Sequence, residues 1–169
     1  MTDTGEKPRR RLHLGGWKFI VAIVLILAYS AGATYGVMSD MSIRGLTVKM
    51  FNVSRYCTTP SDSLKTLNFN VQGSIWSTSS LQTRLSHLSF TLSVDGSVIG
   101  TATQSDTSFG PGQSAPYNVT FTHPTLNPTV LPLSSKLVLT LSAMVSAGLY
   151  SQAQSTSDSS VQNFGTSTC

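Results

Sequence analysis

Charged side chains are scarce in this sequence. Asp, Glu, Lys and Arg make up 11% of the 169 residues, and Glu6 is the single glutamate. Residues 1–18 hold five Lys or Arg against two acidic residues, which leaves six basic and five acidic residues for the rest of the chain. Beyond this tail no basic stripe with interleaved aromatic residues occurs, so we expect no nucleic-acid partner.

The residues that usually carry catalysis or bind metal are also few. His87 and His123 have no cysteine or carboxylate at the spacing of a zinc site. There is no Gly-x-Ser-x-Gly motif, no phosphate-binding glycine loop and no Cys-x-x-Cys pair. Asp95 belongs to a predicted turn, and the remaining aspartates after the N-terminal tail are assigned to loops: Asp40, Asp62, Asp106 and Asp158. We therefore predict a protein that is not an enzyme and has no cofactor or metal.

Cysteine occurs only twice, as Cys57 and Cys169. Both follow the apolar segment described below and lie on the same side of it. An even pair of cysteines in an oxidising compartment favours a disulfide. We predict a Cys57–Cys169 bridge.

A twenty-residue, mainly apolar stretch without charge runs from Phe19 to Met38, "FIVAIVLILAYSAGATYGVM". Twenty helical residues span about 30 Å, the thickness of the hydrocarbon core of a bilayer. We predict a transmembrane helix over 19–38, with membrane lipid around it. The basic tail 1–18 then lies in the cytoplasm by the positive-inside rule. Residues 39–45 form a juxtamembrane linker, and residues 46–169 form an extracellular or periplasm-like domain.

The end of this segment, "AYSAGATYG", allows two further interpretations. Ala31 and Ala33 form an A-x-A pattern typical of signal peptidase sites, which predicts a secreted protein cleaved after Ala33. Ala28, Gly32 and Gly36 recur every four residues, which places small side chains on one helical face. This face would allow packing against a transmembrane helix of a larger complex, or self-association.

The outer part of the chain alternates apolar and polar residues, the pattern of half-buried strands. Clear examples are "LNFNVQGSI", "LSFTLSV", "YNVTFTH" and "KLVLTLSAMV", and weaker ones lie at 46–56, 147–156 and 160–164. Asp95-Gly96 between two such runs predicts a type I′ hairpin. We predict an all-β fold, an antiparallel immunoglobulin- or fibronectin-like β-sandwich of about seven strands, behind one N-terminal transmembrane helix.

Two acceptor sequons for N-glycosylation occur in this part, Asn52-Val-Ser and Asn118-Val-Thr. Asn118 alternates with Val119 and is therefore predicted on a polar face. The facing of Asn52 is ambiguous, because the pattern of its strand is weaker.

The segment from "LNFNVQGSIW" through "LSFTLSVDGSVIGTATQ" to "GPGQSAPYNVTFT" resembles the WHy, or group 2 late-embryogenesis-abundant, domain. The resemblance covers roughly 46–145 and rests on strand spacing, the Gly turn, the "IG" of the return strand and the Pro/Gly loop. Where family members often carry Asn-Pro, this chain has Ser77-Thr78-Ser79. The resemblance implies a membrane-anchored layout, association with membranes or proteins, and no catalytic residues.

These observations favour a single-pass membrane protein that presents a β-sandwich as a structural or accessory subunit or a binding module. The alternative is a filament subunit resembling archaeal pilins or archaellins, which also join an apolar helix to a β-sandwich. Gly15-Gly16 before Trp17 is similar to a prepilin processing site. Three features speak against this alternative. Lys18 follows closely after the glycines, and no charge directly precedes them. The predicted helix also ends near Met38, whereas pilin helices run on into the head domain.

Overall fold

The structure, a computed structural model of the chain, describes residues 16–61, 64–125 and 134–164. The chain divides between Gly36 and Val37 into two compact units. The elements, in chain order, are α1 (Gly16–Arg44), β1 (Leu46–Ser61), β2 (Leu64–Ser77), β3 (Thr83–Val94), β4 (Ser97–Gln104), β5 (Thr107–Phe109), β6 (Ser114–Thr125), β7 (Ser134–Ala147) and β8 (Tyr150–Asn163).

The strands form two antiparallel sheets, which confirms the predicted all-β sandwich behind one helix. The first sheet has the order β1-β2-β6, and the second has the order β4-β3-β7-β8, with β5 paired to the start of β3. The described residues contain eight strands rather than about seven. The strand that the sequence pattern does not predict is β5, which has only three residues. The weak runs at 147–156 and 160–164 fall largely in a single strand, β8.

The core lies between the facing sides of the two sheets. Along β7, and along β3 from Leu88 to Leu92 after a register shift between Ser86 and Ser89, every second side chain lies inside, as the sequence pattern predicts. The largest fully buried side chains are Phe69, Phe90, Phe121, Ile75, Leu85, Leu88, Leu92, Leu137, Leu139, Leu141, Val71 and Val145. The rings of Phe90 and Tyr117 lie 4.9 Å apart between centroids and join the sheets across this core.

The predicted hairpin between β3 and β4 is present. Asp95 and Gly96 have φ angles of 49° and 86°, the positive values that a type I′ turn requires. The Asp95 carboxylate also accepts a hydrogen bond of 2.8 Å from the backbone N–H of Lys136. The turn is therefore tied to the start of β7.

The boundary between helix and sandwich differs from the prediction. α1 continues through Arg44, so the residues assigned to a linker, 39–45, are helical up to Arg44. The physical reason is packing: Ser39, Ser42 and Ile43 are buried. The sequence pattern missed this extension because Asp40 and Arg44, which resemble linker residues, form an i,i+4 ion pair of 3.0 Å on its exposed side.

Candidate functional site

The helix α1 is the one described helix that is long and apolar enough to cross a membrane. Its large apolar side chains, from Phe19 to Leu27, are exposed. The hydroxyls of Ser30 and Thr34 donate to the carbonyl oxygens of Leu27 and Ser30, at 3.0 and 2.9 Å. These two hydroxyls are thus satisfied by the helix itself, as a hydrocarbon environment requires.

The predicted packing face lies along this helix. Ala28, Gly32 and Gly36 are separated by four residues each and share one side. A Cβ added at Gly32 would meet no atom within 4 Å. Ala33, the predicted cleavage position, lies within the same helix.

Serine side chains, which no sequence motif marks, hold the end of α1 against the end of β2 and the segment after it. The hydroxyl oxygens of Ser42 and Ser79 lie 2.6 Å apart, and Ser77 Oγ donates to the carbonyl oxygen of Ser42 at 3.3 Å. Ser42 Oγ in turn donates to the carbonyl oxygen of Met38 at 2.6 Å. Ile43, beside them, is 2% exposed. We call Ser42, Ser77 and Ser79 the helix clasp.

Gly45, between α1 and β1, allows the chain to pass close to Thr78. Gly45 N–H donates to the Met41 carbonyl at 3.0 Å, and the Gly45 carbonyl accepts from Thr78 N–H at 3.3 Å. A Cβ at Gly45 would lie 3.3 Å from the Thr78 Cβ and closer still to the Thr78 hydroxyl. The helix end, β1 and the segment after β2 are therefore in close contact.

A β-bulge in β1 decides which way its residues face. The register with β2 shifts between Met50 and Asn52, with Phe51 as the extra residue. Val48 is buried before the bulge and Val53 after it. This change of phase places Asn52 outside and explains why the facing of Asn52 could not be derived from alternation.

Several polar groups hold the bulge in place. The Asp158 carboxylate accepts a hydrogen bond of 2.8 Å from Met50 N–H, and the Tyr117 hydroxyl donates to the Lys49 carbonyl at 3.0 Å. Burial, and secondarily the negative charge of Asp158, raises the pKa of Tyr117 well above its usual value. Gly73 lies beneath the bulge, where a Cβ would overlap Tyr117 and Lys49. We call Lys49, Met50, Gly73, Tyr117 and Asp158 the bulge cluster.

Both sequon asparagines lie on the outer face of the first sheet. Asn52 pairs with Gln72, and Gln72 pairs with Asn118, so the two acceptors occupy one row two strands apart, a separation of about 10 Å. Both are exposed. Asn70 Nδ2 donates to Asn118 Oδ1 at 2.8 Å and to Thr120 Oγ1 at 3.1 Å.

The outer face of the second sheet is a regular array of hydroxyl groups. The pairing of β4, β3, β7 and β8 aligns Ser and Thr side chains in two neighbouring rows that each cross all four strands. The rows consist of Thr101, Thr91, Thr140 and Ser157, and of Thr103, Ser89, Ser142 and Ser155. The centres of both outer faces thus carry neutral, hydrogen-bonding side chains, whereas Lys49, Arg84 and Lys136 are exposed elsewhere on these strands.

The structure brings no metal-binding group together within the described residues. His87 is exposed and has a φ angle of 53°, and its backbone N–H donates to Asp106, which also pairs with Arg84 at 3.3 Å. Two aspartates assigned to loops lie elsewhere: Asp40 is helical, and Asp158 is on β8. Asp62 is outside the described residues.

Cys57 lies on β1, and its half-buried side chain packs against the core. Cys169 lies outside the residues that the structure describes. The predicted disulfide between them therefore stays a prediction.

No known family model matches the chain, and no curated protein matches it. Among solved structures, a protein from Archaeoglobus fulgidus is similar at a TM-score of 0.39 and 10% identity, over 68% of this chain and 97% of that one. A β-glucuronidase of glycoside hydrolase family 2 is similar at a TM-score of 0.38 and 11% identity, over 71% of this chain and only 13% of that one. Similarities at this level carry no conclusion about activity, substrates or partners.

Proposed function

We propose that the protein is a single-pass membrane protein that holds a non-catalytic β-sandwich outside the cytoplasm, as a structural or accessory subunit or a binding module. The observation that carries this proposal is α1, whose exposed apolar side chains would be covered by lipid. The last turns of α1 belong to the same compact unit as the sheets. The residues that follow the apolar segment, up to Arg44, are helical.

The orientation follows from charge. Five Lys or Arg precede the apolar segment within residues 1–18, and the positive-inside rule places them in the cytoplasm. The sandwich then lies in the extracellular or periplasm-like space. In that compartment a Cys57–Cys169 disulfide would persist, and glycosylation of Asn52 and Asn118 would occur in a host with the transferase.

The two sheet faces support a binding or accessory role. The central side chains of both faces are hydroxyls and amides in register rows, which suit neutral, hydrogen-bonding partners. The resemblance to the WHy domain points in the same direction, because that family is associated with membranes and proteins.

A second candidate, the filament subunit, gains support from the fold. The predicted early end of the helix spoke against it, whereas α1 continues through Arg44 and is packed by the helix clasp; the residues around Gly15-Gly16 still depart from a prepilin site, because Lys18 follows closely and no charge directly precedes the glycines. A helix that continues into its head domain is the layout of pilin-like subunits. In this case the same apolar helix would pack against neighbouring subunits after cleavage near Gly16.

Alkaline washing of membranes, followed by N-terminal sequencing of the retained protein, separates the candidates. We expect the protein to stay in the pellet with its basic tail intact. A start at Gly16 or Trp17 would favour the filament, and a soluble product that starts at Thr34 would establish the secreted form. A variant with Ile23→Lys and Leu27→Lys is the matched control, since two charges in the apolar stretch should release the protein from the pellet.

A further inference from the structure

One end of the sandwich is defined by the point where α1 enters it. β1 begins there at Leu46, which pairs with Ser77 at the end of β2. The segment after Ser77 leads directly to Thr83, which pairs with Ala147 at the end of β7. The turn between β7 and β8 therefore lies at this same end, which we call the proximal end.

The proximal end carries large apolar side chains that the core does not use. Leu149, in the turn after Gly148, is 90% exposed, the highest value of any large apolar side chain in the described part of the chain. Tyr150 next to it and Trp76 at the end of β2 are 54% and 42% exposed. Turns on a water-facing surface normally carry Gly, Asn, Asp, Ser or Pro, so a leucine at this tip needs another explanation. We call Trp76, Leu149 and Tyr150 the collar.

The helix clasp fixes the last turns of α1 to the proximal end. The apolar run ends at Met38, and Arg44 lies six residues later, about 9 Å along a helix. The polar interfacial layer of a bilayer is about 5–8 Å thick on each side. Ser42, in the last turns of α1, is hydrogen-bonded to Ser77 and Ser79 of the sandwich.

The charges at this end fit a lipid surface. Asp40, near this end, pairs with Arg44, and Asp106, farther along the edge of the second sheet, pairs with Arg84. Trp and Tyr are the residues that prefer the headgroup region, and Leu149, next to Tyr150 in the chain, adds apolar area that can reach the acyl boundary.

We infer that the collar is a second membrane contact, in which Trp76 and Tyr150 lie among the lipid headgroups and Leu149 inserts at the acyl boundary. This inference rests on the proposed membrane anchor. It makes the sandwich a domain seated on the bilayer rather than one held away from it, and leaves the two sheet faces and the Asp95-Gly96 end for partners.

Fluorescence of a single tryptophan at the turn tests this contact in the full chain. Trp17 and Trp76 are the only native tryptophans, so Trp17→Phe, Trp76→Phe and Leu149→Trp leave one reporter. The chain is reconstituted in phosphatidylcholine vesicles brominated on the upper acyl-chain carbons. We expect blue-shifted emission and the loss of roughly half of it to bromine. The matched control is Val98→Trp in the same background, beside the Asp95-Gly96 turn at the other end, which should stay unquenched.

The outcomes separate the two proposals. Equal, weak quenching at positions 149 and 98, in protein that floats with the vesicles after alkaline washing, would overturn the collar and leave the anchor intact. Protein that does not float would overturn the anchor, and with it the collar. The Trp17→Phe chain, which keeps Leu149 and the native Trp76, provides a reading without any substitution in the collar, and Trp76 must also be quenched there.

Discussion

Replacing Gly73 by alanine tests whether the bulge cluster holds the fold. Gly73 lies within β2, where alanine is normally the better residue because glycine loses more conformational entropy on folding. At this position, however, a Cβ would lie 2.6 Å from the Tyr117 Cζ and closer still to the Lys49 carbonyl oxygen and the Tyr117 hydroxyl. Carbon atoms in favourable contact lie about 3.5–4.0 Å apart. One of the overlapping groups is backbone and cannot rotate away.

The size of the effect follows from two losses and one gain. Forcing an extra carbon into a packed site costs about 1–3 kcal/mol. Displacing Tyr117 breaks its hydrogen bond to the Lys49 carbonyl, a loss of about 1 kcal/mol. The usual gain from Gly to Ala is about 0.4–1 kcal/mol. We expect a net loss of about 2–3 kcal/mol in the free energy of unfolding, a fall in Tm of about 10 °C for a domain of this size.

Thermal unfolding of the full chain in detergent, followed by near-ultraviolet circular dichroism, measures this difference. Gly100→Ala is the control, because the nearest atom to a Cβ there is the Thr122 carbonyl oxygen at 4.0 Å. That variant should keep or slightly raise the Tm. A Gly73→Ala protein as stable as Gly100→Ala would contradict the close contacts of Gly73 with Tyr117 and Lys49.

Three further predictions concern single groups. Burial raises the pKa of Tyr117 in the folded state, so the stability linked to its neutral hydroxyl is complete below the unfolded pKa of about 10 and is lost as pH rises above it; denaturant titrations from pH 8 to 12 should show a fall that Tyr117→Phe reduces. The Cys57–Cys169 bridge predicts a mobility shift on reduction and a lower Tm for Cys57→Ser by about 10 °C or more; alkylation of both thiols in native, unreduced protein would contradict it. In a glycosylating host, Asn52→Gln and Asn118→Gln should each remove one glycan mass, with Asn70→Gln unchanged as the control, and intact masses without any glycan would refute the prediction.

The β-sandwich could be predicted because apolar and polar residues alternate with a period of two along most strands of the outer domain. Alternation in residues such as Leu88, Phe90 and Leu92 specifies which face is buried, and two residues with positive φ specify the Asp95-Gly96 turn. The linker over 39–45 was predicted from composition alone, whereas these residues are helical up to Arg44. Asp40 and Arg44 look like a linker until their spacing of four is seen as an ion pair on the outer side of a helix.

The candidate site was harder to predict because it depends on contacts between distant segments. Ser42 meets Ser79 over 37 positions of sequence, and Met50 meets Asp158 over 108. Nothing in the local sequence marks either pair. The bulge at Phe51 likewise reverses the facing of Asn52 for a reason that lies in the partner strands. The collar did leave a local signal, the apolar Leu149 directly after Gly148.

The central claim is an anchored chain with its tail inside and its sandwich outside. Chemical labelling of its lysines tests this claim most directly. Lys49 and Lys136 are exposed on the sandwich, whereas Lys7 belongs to the basic tail. Intact cells are treated with a membrane-impermeant amine reagent before and after permeabilisation, and the labelled peptides are identified by mass spectrometry. We predict label on Lys49 and Lys136 in intact cells, and on Lys7 only after permeabilisation. Label on Lys7 in intact cells, or loss of the tail peptide from the mature protein, would contradict the account.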